Sequence, residues 1–232
     1  MNSNSNLACD TCPVRESAAC ASLNDEERIK LSKIGRHKIL KKGETLTAAG
    51  DENTVCATLV SGALKITSND RDGTERILSL VHPAGFVGEL FSPAVHHDVV
   101  ALTESKLCVF SRPQYEEIIE GHPALALALL RRSADDLFDA RSMMDLAGKR
   151  SADARVAGLI RAFARAASHS PCHSADMFDL PLTRGEMAGL LGLTIETISR
   201  KLGLLESDGL IKRQGARGIR ISDHARLAEL SD

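Results

Sequence analysis

Apolar positions change period along the chain, and each change predicts a different kind of element. Between about His37 and Arg112 they fall in short aliphatic or β-branched runs: V-C-A-T-L-V, A-L-K-I-T, R-I-L-S-L-V, V-V-A-L-T and L-C-V-F. Glycines at 50, 62, 73 and 85 punctuate the runs at 11- or 12-residue spacing. Short strands with glycine turns predict an all-β jelly roll, and N-D-R-D-G between Ser68 and Thr74 predicts a hairpin turn. Upstream, Asn24 to Leu31 reads as a short helix, with Asn24 as its cap and acids in the first turn.

From Pro113 the period becomes helical. A short helix around Tyr115–Glu120 is stopped by Gly121-His122-Pro123. A long helix follows, with Leu127, Leu130, Ala134, Leu137, Arg141 and Met144 alternating at spacings of three and four. That is an a/d seam, which could pack on the chain's own β domain or on a partner's copy; Asp135, Asp136, Asp139 and Arg141 narrow the stripe and favour a homodimer. Ser151–Ala167 is a further amphipathic helix (Val156, Leu159, Ile160, Phe163), and F-D-L-P-L reads as a short extended segment.

Thr183 to Arg200, T-R-G-E-M-A-G-L-L-G-L-T-I-E-T-I-S-R, reads as two helices joined at Gly192. Met187, Leu190 and Leu191 give the first an apolar face; Thr194 caps a second in which Ile198, Leu202 and Leu205 repeat. Glu196, Thr197, Ser199, Arg200 and Lys201 are left toward solvent near the start of the second helix. In a helix-turn-helix those positions meet base edges in the major groove. The following G-L-I-K-R-Q-G-A-R-G-I-R-I is a hairpin carrying Lys212, Arg213, Arg217 and Arg220, which suits phosphate contact. Thr183, Thr194, Thr197, Lys201, Lys212, Arg213 and Arg217 are the candidate DNA-backbone contacts.

Composition adds limits. A chain of 232 residues with 43% hydrophobic and 26% charged residues can build two folded domains, and without Trp its cores must be aliphatic. No apolar run approaches the ~20 residues of a membrane helix, and the N-terminus lacks a signal-peptide pattern. A cytoplasmic protein with reduced thiols is predicted. The net charge of −2 conceals an asymmetry: residues 149–232 carry 13 Lys and Arg against 10 Asp and Glu, while residues 1–148 carry 16 against 21. A basic binding domain joined to an acidic sensor domain fits that split. Cys9, Cys12 and Cys20 form C-x2-C-x7-C, which in a reducing compartment suggests a metal site that needs a fourth ligand from elsewhere.

The order of cysteine-rich N-terminus, glycine-punctuated β-roll, seam helix and winged helix pair resembles the CRP/FNR family of bacterial transcription regulators over nearly the whole chain. L-G-L-T-I-E-T-I-S-R is similar to the recognition-helix signature of the FNR branch. The resemblance implies an α+β fold with four parts: residues 1–23 as a cluster-binding segment, 24–112 as a β-roll of the cyclic-nucleotide-binding type, 113–148 as the dimerisation helix region, and 149–232 as a winged helix-turn-helix. It implies double-stranded DNA as partner, with Arg200 donating to guanine, Glu196 accepting from cytosine or a neighbouring base, and Ser199 contributing to A·T choice. The implied target is an inverted repeat of the TTGAT type, read by a homodimer that contacts RNA polymerase.

F-V-G-E-L (Phe86–Leu90) resembles the family's cyclic-nucleotide pocket, but no Arg occurs between Glu89 and Arg112 to hold a phosphate, so no cyclic nucleotide is expected. A-L-T-E-S-K-L-C resembles the segment in which oxygen-sensing members carry a fourth cluster ligand, which makes Cys108 the partner of Cys9, Cys12 and Cys20 in a 4Fe–4S cluster. The C-x2-C-x7-C spacing departs from that of the best-known member and matches others of the branch. The function implied is an oxygen-responsive, non-enzymatic activator, in which loss of the cluster lets the aspartates beside the seam oppose dimerisation. A nitric oxide or redox effector, another small ligand and a structural zinc on the same thiols remain alternatives. Cys56 and Cys172 match no ligand position. His96 and His97, placed in a strand, would face opposite ways and could not share a metal.

Overall fold

The computed structural model describes residues 9–73, 75–168, 174–215 and 217–231. Two compact units divide within the long helix, after Asp139.

The first unit is a β-roll of two four-stranded antiparallel sheets. Its strands are β1 (Gly35–Leu40), β2 (Thr45–Thr47), β3 (Val55–Ser61), β4 (Leu64–Asn69), β5 (Glu75–Val81), β6 (Phe86–Val87), β7 (Asp98–Ala101) and β8 (Ser105–Ser111). One sheet has the order β1-β8-β3-β6, the other β2-β7-β4-β5. The predicted hairpin joins β4 to β5, and β1, β2 and β6 add strands that the apolar runs did not announce.

Period-2 alternation gives β3 and β8 two buried faces. Ala57, Leu59, Leu107 and Val109 turn into the roll with Leu40, Leu64 and Val99. Cys56, Val60, Cys108 and Phe110 turn the other way and pack in a second core with Val14, Leu23, Leu31, Tyr115 and Leu125. That second core is built from the N-terminal segment, α1 (Asp25–Ile34), α2 (Arg112–Gly121) and the first turns of α3 (Pro123–Gly148). Asn24 caps α1 in a reciprocal capping box with Glu27.

Along α3, Leu125 and Leu129 are buried, whereas Leu127, Leu130, Ala134, Leu137, Arg141 and Met144 are all exposed. The helix therefore carries a second apolar face that its own chain leaves uncovered, extended by exposed Phe138. Asp135 and Asp139 are exposed; Asp136 is half-buried and ion-paired with Arg132 at 3.1 Å. Two of the three aspartates beside the seam thus face solvent.

The second unit contains α4 (Ala152–Ala166), β9 (Met177–Asp179), α5 (Arg184–Leu191), α6 (Ile195–Ser207), the hairpin β10 (Ile211–Gln214) and β11 (Gly218–Ile221), and α7 (His224–Ser231). β9 pairs with β11, closing a three-stranded sheet beside the helices. Val156, Leu159, Ile160 and Phe163 of α4 are buried, as their spacing predicts.

Candidate functional site

The thiols of Cys9, Cys12, Cys20 and Cys108 line one recess, with about 580 Å³ of empty space partly open to solvent. Each arrives by a different local rule. Cys9 and Cys20 sit in short 3-10 turns, Cys9–Thr11 and Ala19–Ser22, and the N–H of Cys12 bonds back to the carbonyl of Cys9 at 3.3 Å. Cys108 reaches the recess because β8 alternation turns it away from the roll interior. In the sheet register it lies between His37 of β1 and Thr58 of β3, and both also line the recess. Cys108 Sγ is 3.9 Å from His37 Nδ1.

Beyond the cysteines, His37 and Thr58, the walls are apolar (Val14, Leu31, Val60, Phe110, Tyr115) apart from two cations, Arg15 and Arg28. Burial pushes the Cys108 thiol up to about 12, and proximity to the other three sulfurs adds to the rise. The Cys9 and Cys20 thiols are raised first by burial and then by their neighbours, while Arg28 pulls both down. Four thiolates gathered here would repel strongly unless a positive group stood among them. Among the described residues, no three Cys, His, Asp or Glu are gathered so as to hold a single metal ion. Cys56 lies outside the recess, buried beneath Gly88, and Cys172 lies outside the described residues.

The stretch Phe86–Glu89 borders a separate cavity in the first unit, lined also by His96, His97, Ser133 and Asp136. Among the described residues, no Arg or Lys lines it. Gly88 has φ +135, and a Cβ there would sit 2.6 Å from Cys56 Cβ, so glycine is required for close approach to β3. His96 and His97 lie in the loop before β7, which begins only at Asp98; period-2 alternation does not apply to them. Both turn toward Glu89: His96 Nδ1 contacts one carboxylate oxygen and His97 Nδ1 lies 3.8 Å from the other. This corrects the expectation that they diverge across a strand.

In the second unit, α5 and α6 form the predicted helix pair. Thr183 and Glu186 make a capping box, Gly192 turns in the left-handed region at φ 60, and Thr194 Oγ1 accepts from the N–H of Thr197 at 3.2 Å. Met187, Leu190, Leu191, Ile198, Leu202 and Leu205 are buried. The Arg155 guanidinium of α4 donates to the carbonyls of Leu191 at 3.0 Å and Lys149 at 2.6 Å, fixing the end of α5. Glu196 and Arg200 are exposed and Ser199 is half-buried one helical face away from the core. Its own backbone N–H and the Thr194 hydroxyl hold the Glu196 carboxyl below the usual carboxylate range, so it is an acceptor at neutral pH.

Two candidate phosphate contacts have partners within the chain. Lys201 donates to Asp153 at 2.6 Å, and Arg213 Nε donates to Glu206 at 2.8 Å. Lys212 and Arg217 on the hairpin, and Thr183, are exposed; Thr197 is half-buried. Ile195, at the first position of α6, is 51% exposed and is not among the polar residues that the sequence pattern points to. Its signal was an apolar side chain on the solvent side of a helix N-terminus, able to meet a thymine methyl.

Comparison with known proteins agrees with both halves. The Cyclic nucleotide-binding domain family matches residues 37–122, and the Crp-like helix-turn-helix domain family matches residues 154–230. The chain is 36% identical over 224 residues to the transcriptional activator protein FnrL of Cereibacter sphaeroides, covering 95% of this chain and 90% of that protein. It is 30% identical over 223 residues to the nitrogen fixation regulation protein FixK of Bradyrhizobium diazoefficiens, covering 96% and 93%. The solved structure of FixK2 from Bradyrhizobium japonicum superposes with a TM-score of 0.77 at 25% identity, covering 86% of this chain and 98% of that one. The two matched domains and relatives aligned over nearly the whole chain place it in the CRP/FNR family of DNA-binding transcription regulators, as a transcriptional activator.

Proposed function

We propose that this regulator is a homodimeric, oxygen-responsive activator that reads TTGAT-type inverted repeats while four cysteines hold a 4Fe–4S cluster. The observation that carries it is the convergence of Cys9, Cys12, Cys20 and Cys108 on one recess. Four thiols are the donor set such a cluster takes, and an iron–sulfur core would supply the positive charge they need to ionise together. A structural zinc would draw four sulfurs to about 2.3 Å from one ion.

The recess belongs to the same buried core as Leu125 and Leu129 at the base of α3. Tying residues 9–20 to Cys108 therefore braces the helix that carries the exposed seam. Without a group on these thiols the brace would be lost, and exposed Asp135 and Asp139 would weigh against pairing. In the dimer, two α6 helices enter successive major grooves ~34 Å apart. Arg200 donates to guanine, Glu196 accepts from cytosine N4, Ser199 takes part in A·T choice, and Lys212 and Arg217 hold phosphates. Lys201 and Arg213 first position α6 and the hairpin through Asp153 and Glu206. RNA polymerase is the protein partner of an activator of this kind. The cavity beside Glu89 lacks a cation for a cyclic phosphate, and no cyclic nucleotide is assigned to it.

The test is preparation without oxygen, followed by iron, acid-labile sulfide, visible absorption and mass before and after air. Coloured protein with about four irons per chain that bleaches and loses its dimer in air is expected. A colourless, iron-free protein that is dimeric in both conditions would refute the proposal.

A further inference from the structure

The recess has two cations in its wall, and their surroundings differ. Arg15 is met by three acids: Asp10 at 3.4 Å, Glu16 at 3.6 Å and Asp25 at 2.9 Å. Among the described residues, Arg28 forms an ion pair only with Asp25, at 3.1 Å, and Asp25 is 79% exposed and shared with Arg15. The Arg28 side chain is 14% exposed, so its charge is the less neutralised and the less screened of the two. Its planar fork is also committed to the loop that carries a ligand. Nε donates to the carbonyl of Cys20 at 3.1 Å and Nη2 to that of Ala21 at 3.0 Å. One side chain on α1 thus fixes the backbone at Cys20 and leaves a cation in the wall of the recess that the four cysteines line, acting on the thiols of Cys9 and Cys20.

We propose that Arg28 is a positioning and charge-compensating residue for the anionic iron–sulfur group of the recess, which rests on the cluster reading above. Four thiolates around an iron–sulfur core of charge +2 make an assembly of net charge about −2. A guanidinium beside it stabilises the assembly and opposes removal of an electron. One electron passing from the assembly to dioxygen, to give superoxide, raises the assembly's charge by one, and a neighbouring cation makes that step less favourable. Arg28 therefore slows attack by oxygen as well as seating Cys20. A lysine keeps the charge but cannot donate in a fixed fork to two carbonyls, so the two roles separate.

Wild type, Arg28→Leu, Arg28→Lys and Arg15→Leu are to be loaded without oxygen, using ferrous iron and sulfide. Iron and sulfide per chain report seating; loss of visible absorption in air-saturated buffer reports oxidation. Arg28→Leu is expected to bleach on the order of tenfold faster and to hold less iron than wild type. Arg28→Lys should bleach within about twofold of wild type yet load less completely, and Arg15→Leu should change both readouts less than Arg28→Leu. Equal loading and bleaching of Arg28→Leu and wild type overturns the proposal. So does an Arg28→Lys that bleaches as fast as Arg28→Leu, an outcome that survives any folding defect of the leucine variant because the lysine variant is compared directly with wild type. If wild type itself takes up no iron and sulfide, the cluster reading fails in that arm, before any variant is compared.

Discussion

Truncating the seam of α3 at Leu130 and Leu137 together to Ala should dissociate the dimer without unfolding the protomer. Leu130 is 66% exposed and Leu137 50% exposed, so together they leave slightly more than one leucine side chain's surface uncovered per protomer. Full burial of a leucine side chain is worth about 2 kcal/mol, and Ala retains part of that. The double variant therefore forfeits about 1.5 kcal/mol per protomer and, because a two-fold interface uses the same patch twice, about 3 kcal/mol per dimer. That is a rise of about 100-fold in the dimer dissociation constant. Sedimentation equilibrium of the iron-loaded protein without oxygen, across a concentration series, reads it directly. Urea unfolding of the roll is the control: both side chains face solvent, so the change should stay within about 0.5 kcal/mol. An unchanged dissociation constant would refute the assignment of this face. A large loss of protomer stability would show instead that the face packs on its own chain.

Two further outcomes follow from the sites. Arg200→Ala should cost about 1–3 kcal/mol on the cognate repeat and relax preference at its guanine, whereas Arg217→Ala should weaken every duplex alike and flatten the salt dependence by about one unit; competition titrations at two salt concentrations separate them. Burial, with Arg132 nearby, lowers His82 to about 4 from an ordinary 6.5, so the folded state disfavours its protonation. Its contribution is intact above pH 6.5 and is lost as pH falls toward 4, about 2 kcal/mol by pH 5. Urea unfolding at pH 7.5 and pH 5 should show a drop that His82→Gln reduces by that amount, and equal drops in the two proteins would contradict the assignment.

Much of the winged unit was legible because its determinants are local. Gly192, Thr194 and the apolar repeat through Leu205 each act within one or two turns, and each holds the place its spacing predicts. The roll was legible as runs and turns, but β1 and β6 are short or mixed in polarity and are strands only because β8 and β3 offer them hydrogen-bonding edges. His96 and His97 were misplaced for the converse reason. Without a neighbouring strand, that segment is a loop, and Glu89 draws both imidazoles to one side.

By itself, the sequence determined the composition of the sites: which thiols, which exposed residues of α6 and which seam positions exist at all. It also determined the period that turns Cys108 away from the roll interior, since alternation is a property of the extended chain. Tertiary structure decided what those residues meet. The recess joins Cys9, Cys12 and Cys20 to a strand residue some 90 positions away, and adds Arg28, His37 and Thr58, none of which spacing could associate with cysteine. It also paired Lys201 with Asp153 and Arg213 with Glu206, partners that the local pattern does not announce. The physical reason is common to all of these. Local periodicity sets the direction a side chain takes, but charge compensation and burial depend on elements distant in sequence, which come together only when the sheets close and the helices dock.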